Sequence, residues 1–145
     1  LSWDRPENAN TFKVYRNEIF LIETSEQSYI DIVSPSNEFC YSVSAVNSVG
    51  LEGPQSTISC GTALYPPAPL LSLSVDGNTA ILNWSSVTDT ESYRVYENGD
   101  FIQELIATTF EKVIETGVNT CFEVTSVNFY STESARSNEE CGQGL

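Results

Sequence analysis

The sequence predicts two all-β modules in tandem, and three observations carry that reading. Shifted by 81 positions the chain matches itself without a gap: Trp3 falls on Trp84, Val14-Tyr15 on Val95-Tyr96, Phe20 on Phe101, and Cys40 and Cys60 on Cys121 and Cys141. Short segments rich in Val, Ile, Tyr, Phe and Thr alternate with polar residues and are cut by turn dipeptides, the pattern of half-buried strands. No stretch sustains the helical apolar period of about 3.6 residues over a dozen positions.

The second copy shows the elements in order. Leu71-Ser72-Leu73-Ser74-Val75 alternates, Asp76-Gly77-Asn78 turns, and Ala80-Ile81-Leu82-Asn83-Trp84 returns, which predicts a hairpin. Tyr93-Arg94-Val95-Tyr96 leads into Asn98-Gly99-Asp100, a type I′ turn signal, and Phe101-Ile102 closes a second hairpin. Thr109 to Val113 forms a further strand, Cys121 to Ser126 another, and the last ends at Cys141. The first copy begins two residues ahead of its tryptophan, so it is expected to lack the opening strand. The repeats agree mainly at apolar, turn and cysteine positions, which concern folding more than binding.

With 6 Lys and Arg against 20 Asp and Glu, the formal charge is -14. Such a surface repels phosphate backbones and anionic headgroups, so neither nucleic acid nor membrane is an expected partner. The acids are scattered, as on a solvated surface. No apolar run approaches the roughly 20 residues that span a bilayer, and the start does not resemble a signal peptide. A soluble segment is expected, with any export signal upstream.

Each copy holds two cysteines, Cys40 and Cys60, then Cys121 and Cys141. Four cysteines allow three connectivities, and the equal spacing favours one bridge inside each module. With no CxxC and no histidine, a zinc site is not expected, and no cofactor is called for. Stable bridges imply an oxidising compartment, hence a secreted or cell-surface protein.

Seven short strands with a tryptophan on the second resemble a fibronectin type III domain, and the likeness is specific in the sixth strand. The segment from Val33-Ser34-Pro35 through Phe39-Cys40-Tyr41 to Ala45-Val46-Asn47 follows almost residue by residue that family's pattern of a leucine or similar residue, a proline two later, a tyrosine four after that and an alternating run ending in Ala-Val-Asn. Trp3 and Trp84 match the family's core tryptophan, and Pro66-Pro67-Ala68-Pro69 its proline-led start. The resemblance implies two immunoglobulin-like β-sandwiches, residues 1–63, without the N-terminal strand, and residues 64–145. The family's corner tyrosine is replaced by Phe39 and Thr120, which removes a hydrogen bond worth about 1 kcal/mol. Period-2 counting turns Phe39, Tyr41, Val43 and Ala45 inward and Cys40 outward. The bridges across the last two strands are then expected to hold the corner.

The absence of histidine excludes Ser-His-Asp and Cys-His nucleophilic arrangements from this segment. Carboxylate pairs such as Glu139-Glu140 would need a flanking cleft for glycoside chemistry, and a small sandwich supplies no obvious one, so no catalysis is expected. Asp89-Thr90-Glu91 lacks the spacing and glycine of a calcium loop and reads as a polar turn. Asn83-Trp84-Ser85 is a glycosylation sequon with Asn83 outward, though a strand is a poor acceptor.

Between the sixth and seventh strands, Asn47 to Gly53 differs from Asn128 to Ser134, and the latter offers Phe129 and Tyr130 as a candidate protein or glycan contact. Packing against a neighbouring module is the alternative for these two rings. Tyr65-Pro66-Pro67-Ala68-Pro69 is a short, stiff tether that favours a semi-rigid rod. The functional expectation is a non-catalytic spacer and interaction segment of a multimodular extracellular protein, its partners neighbouring modules and an extracellular protein or polysaccharide. Two alternatives stand beside it: a binding module using Phe129 and Tyr130, and a self-assembling fibre in which the first module accepts a strand from a neighbour.

Overall fold

The computed structural model describes all 145 residues. It contains strands and no helix: β1 (Thr11–Arg16), β2 (Ile19–Thr24), β3 (Glu38–Val46), β4 (Ser59–Thr62), β5 (Leu71–Asp76), β6 (Thr79–Trp84), β7 (Thr90–Glu97), β8 (Asp100–Leu105), β9 (Thr109–Val113), β10 (Asn119–Asn128) and β11 (Glu140–Gln143). Two compact units divide the chain, Leu1–Leu64 and Tyr65–Leu145.

The second unit has two antiparallel sheets, ordered β5-β6-β9 and β11-β10-β7-β8. Both predicted hairpins form. The β5–β6 turn places Gly77 at φ +57°, and the β7–β8 turn places Asn98 at +51° and Gly99 at +88°, the left-handed pair that a type I′ turn requires. Period-2 alternation then delivers Leu71, Leu82, Trp84, Tyr93, Val95, Phe122 and Val124 to one buried core. Trp84 meets Tyr93 edge-on at 5.7 Å, and the Tyr93 hydroxyl accepts the Val87 N–H at 2.9 Å.

Strand β5 is clasped at both ends of its approach. Asn138 accepts the Leu71 N–H and donates to the Leu71 carbonyl, both at 2.9 Å, and Ser126 Oγ donates to the Pro67 carbonyl at 2.7 Å. Gly142 on β11 leaves room for it: a Cβ there would lie 2.7 Å from Val75 Cγ2 and 3.2 Å from Leu73 Cδ2.

The first unit keeps one four-stranded sheet, β2-β1-β3-β4. These strands are the repeat mates of β8, β7, β10 and β11. Within residues 1–64 no strand pairs as β5 does with β6 in the second unit, and no facing ladder forms. Leu1 is the mate of Leu82, so β5 and most of β6 have no counterpart among residues 1–64. In the second unit β9 pairs with β6 alone. Its mate, residues 28–32, forms no strand; its backbone is held by the Ser2–Ser28 bridge and the hydrogen bonds between Tyr29 and Leu1.

This changes the burial expected along β3. Phe39, Tyr41, Val43 and Ala45 are only half-buried, whereas Ser42 and Ser44 on the opposite face are 6% and 1% exposed. The inward face has no full sheet over it. The outward serines lie beneath the connection to β4, where Ser42 Oγ meets Gln55 at 2.7 Å and Ser44 Oγ meets Glu52 at 2.6 Å. On β10, beneath a complete second sheet, Phe122 and Val124 are fully buried.

Both bridges form inside their own unit. Cys40 faces Cys60 and Cys121 faces Cys141 across directly paired positions, with Cα atoms 4.0 Å apart in each case. Beside each, an asparagine of the preceding hairpin turn grips the same strand. Asn17 Oδ1 accepts the Cys40 N–H at 3.0 Å and Asn98 Oδ1 the Cys121 N–H at 2.9 Å, while the asparagine N–H groups return to the cysteine carbonyls at 2.7 and 2.8 Å.

Candidate interaction surface

The loop leaving β10 is built on Asn128. Its Oδ1 accepts the N–H groups of Tyr130 at 3.0 Å and Thr132 at 2.9 Å, and Ser131 takes φ +60° at the apex. The loop after β3 repeats this with Asn47, which accepts from Val49 and Leu51 at 3.1 and 2.9 Å, and with Gly50 at φ +82°. An asparagine that satisfies two backbone donors fixes the turn without help from the core. The residues at the apex are consequently turned to solvent: Phe129 is 66% exposed and Tyr130 48%.

A carboxylate then ties each loop back to the sheet. Glu133 accepts from Thr125 Oγ1 at 2.7 Å, from Arg94 Nη1 at 2.7 Å and from the Tyr96 hydroxyl. Glu52 does the same with Ser44 at 2.6 Å, Lys13 at 2.7 Å and the Tyr15 hydroxyl at 2.5 Å. The Lys13 hydrogen bond first, then those of Ser44 and Tyr15, hold the Glu52 carboxyl down at about 2. Burial pushes Glu133 upward, but its bonds to Tyr96, Thr125 and Arg94 together prevail and it too lies below the ordinary value. In the second unit Arg136 also stacks over the Tyr96 ring and reaches Glu123 at 3.4 Å. Phe129 and Tyr130 thus project from a base fixed by charge-assisted bonds.

Sequence reasoning singled out the two rings and missed their support. The signal was present in the repeat: Tyr15 and Tyr96, Asn17 and Asn98, Asn47 and Asn128, and Glu52 and Glu133 are polar identities at mated positions away from the apolar core.

The remaining candidates fall elsewhere. Asp89 takes φ +57° where the chain turns into β7, and Thr90 pairs with Asn128, the geometry of a turn entering a strand. Cys121, Glu139 and Cys141 have donor atoms close together, but both sulfurs are in the disulfide and offer no thiolate to a cation. Glu140 accepts from Asn138 at 2.9 Å on β11, and Asn83 is exposed on β6 beside the buried Trp84.

No family model matches the chain. A Kelch domain-containing protein of Sulfurisphaera tokodaii is 29% identical over 136 residues, 90% of this chain, which spans only 18% of that protein's length. Among solved structures, the Clostridium perfringens spore cortex lytic enzyme SleM superposes with a TM-score of 0.52 at 18% identity, over 64% of this chain and 34% of SleM. The chicken CNTN1 FN1-FN3 domains give 0.46 at 16% identity, over 92% of this chain and 54% of theirs. The second unit is a fibronectin type III-like sandwich, and the first repeats one of its two sheets. Two facing antiparallel sheets, the buried tryptophan on β6 and the hairpin of β10 with β11 carry that assignment.

Proposed function

We propose that this chain is a non-catalytic spacer and interaction segment of a longer secreted or cell-surface protein, and that Phe129 and Tyr130 form its contact. The observation that carries the reading is the pair of exposed rings on a loop pinned at Asn128 and Glu133. Rigid aromatic side chains on a fixed base supply contact area with little ordering entropy. The two disulfides support an oxidising environment. The Kelch domain-containing relative and SleM are both much longer than this chain, which supports a role as one part of a larger polypeptide.

A glycan array, read with the oxidised chain and with a Phe129→Ala, Tyr130→Ala variant, tests the contact. Retention of the parent chain on a defined glycan, lost in the variant, is the expected result. Equal retention of both moves the contact off this loop, and turnover of an arrayed polysaccharide overturns the non-catalytic reading.

A further inference from the structure

The outer face of the first sheet lacks a cation that its repeat mate carries. In the second unit Arg136 stacks over the Tyr96 ring, its guanidinium carbon 3.0 Å from the centroid, and reaches Glu123 at 3.4 Å. The ring beneath it is 8% exposed. At the mated position the first unit has Gln55, which accepts the Ser42 hydroxyl at 2.7 Å, and Tyr15 is only half-buried. An arginine covers a ring with a flat charged group and its own methylenes, and a glutamine brings neither the charge nor a stem of that length.

A cavity of about 300 Å³ opens on that face, lined by Asn17, Glu18, Cys40, Tyr41, Ser42 and Ile58. Ser42 is paired directly with Tyr15 across the β1–β3 ladder, which places the cavity beside the uncovered ring. Glu18 and Ile58 stand where the second unit has Gly99 and Glu139. Glu38, on the outward face of β3 with Cys40 and Ser42, stands where it has Asn119. Glu18 and Glu38 are exposed and enter no ion pair, and Ile58 is 58% exposed. Carboxylates beside an apolar side chain and an open ring match a long cationic side chain, whose stem packs on apolar surface while its head stays paired. The chain has no cation to spare for this place. Lys13, Arg16, Arg94, Lys112 and Arg136 are all in ion pairs, and Arg5 donates to the carbonyls of Ala9, Asn10 and Ser25.

We propose that this face of the first unit binds an arginine side chain presented by a basic partner protein, with the guanidinium set over Tyr15 and paired with Glu18. Arg136 in the second unit shows the geometry that the repeat accepts. Arginine matches better than lysine, because its flat fork stacks on a ring and pairs with a carboxylate at once. A formal charge of -14 steers a cationic surface towards the chain and repels an anionic one. The contact is independent of Phe129 and Tyr130, which belong to the other unit.

The test uses the whole oxidised chain, followed by its amide NMR signals, and short blocked peptides of serine and glycine with one central arginine, lysine or uncharged citrulline. On titration to millimolar arginine peptide, shifts at Asn17, Glu18, Ser42 and Ile58 are expected, with none at their mates Asn98, Gly99, Glu123 and Glu139. The lysine peptide should bind more weakly, and the citrulline peptide should leave the spectrum unchanged. Glu18→Gln, an exposed change in a turn, should weaken binding about fivefold, the effect of one exposed charge pair, without moving the melting curve. Gln55→Arg should close the site from within and abolish the response. Absence of shifts with the arginine peptide, or equal shifts with lysine or citrulline, overturns the proposal. So do equal shifts in both units, which would mean that net charge alone collects the peptide.

Discussion

Arg16 and Asp31 hold the same mated positions as Glu97 and Lys112, so one ion pair is built twice with its signs exchanged. Arg16 Nη1 lies 3.0 Å from Asp31, which also accepts the Tyr41 hydroxyl at 2.8 Å, where the second unit has Phe122. Burial first, then the bond to Asp31, pushes Tyr41 up to about 12. Exchange of both partners preserves attraction, whereas exchange of one sets like charges together. Glu97→Arg should destabilise the second unit by about 1 kcal/mol, and adding Lys112→Asp should recover most of it. Urea unfolding of the parent, the two single variants and the double variant gives the coupling; strict additivity would show that the pair contributes nothing.

Glu52 makes the first unit sensitive to acid. Its carboxyl is held at about 2 in the folded chain against an ordinary 4.5. The stabilisation is complete above the unfolded value and is lost as pH falls from about 4.5 towards 2. Thermal melts across that range should show the first unit weakening, and Glu52→Gln should flatten the slope in that window while lowering stability at neutral pH.

The two glycines of the final strands should respond in opposite ways. Gly142→Ala forces a methyl group against Val75 and should cost about 1–3 kcal/mol. Gly61→Ala meets no neighbour, and should be neutral or slightly stabilising because it stiffens the unfolded chain. Paired denaturation curves decide this; equal losses would mean that strand conformation governs both sites.

Removing the second bridge with Cys121→Ser and Cys141→Ser should cost about 3 kcal/mol in the chain-entropy model. The Asn98 clasp on Cys121 remains in that variant. An unchanged melting temperature would assign the corner to the asparagine and not to the sulfur link.

The strands of the second unit could be read from the sequence because alternation, turn dipeptides and burial all agree there. Leu71 to Val75 and Ala80 to Trp84 alternate, and the sheets that bury their apolar faces are both present. The same alternation at Phe39 to Ala45 misjudged burial, since the pattern records which face a side chain takes and not whether another layer covers it. Residues 28–32 failed to become a strand for the same reason: a β-strand depends on a partner elsewhere in the chain. The rings of Phe129 and Tyr130 were visible as an aromatic pair in a turn. Their anchor at Glu133 was not, because Thr125, Arg94 and Tyr96 converge on it only after the sheet has formed.

The placement of each disulfide has a mechanical consequence. Cys60 and Cys141 sit at the second residue of the last strand of their unit, and each is bonded to the longest strand of its sheet. Tension applied at the trailing end of a unit enters through that strand, whose hydrogen bonds would otherwise open one after another like a zip. The sulfur link halts the opening within two residues and hands the pull to the central strand, where ladders on both sides must shear together. A protein assembled from such units would resist drag by stretching its tethers before any unit shed its final strand.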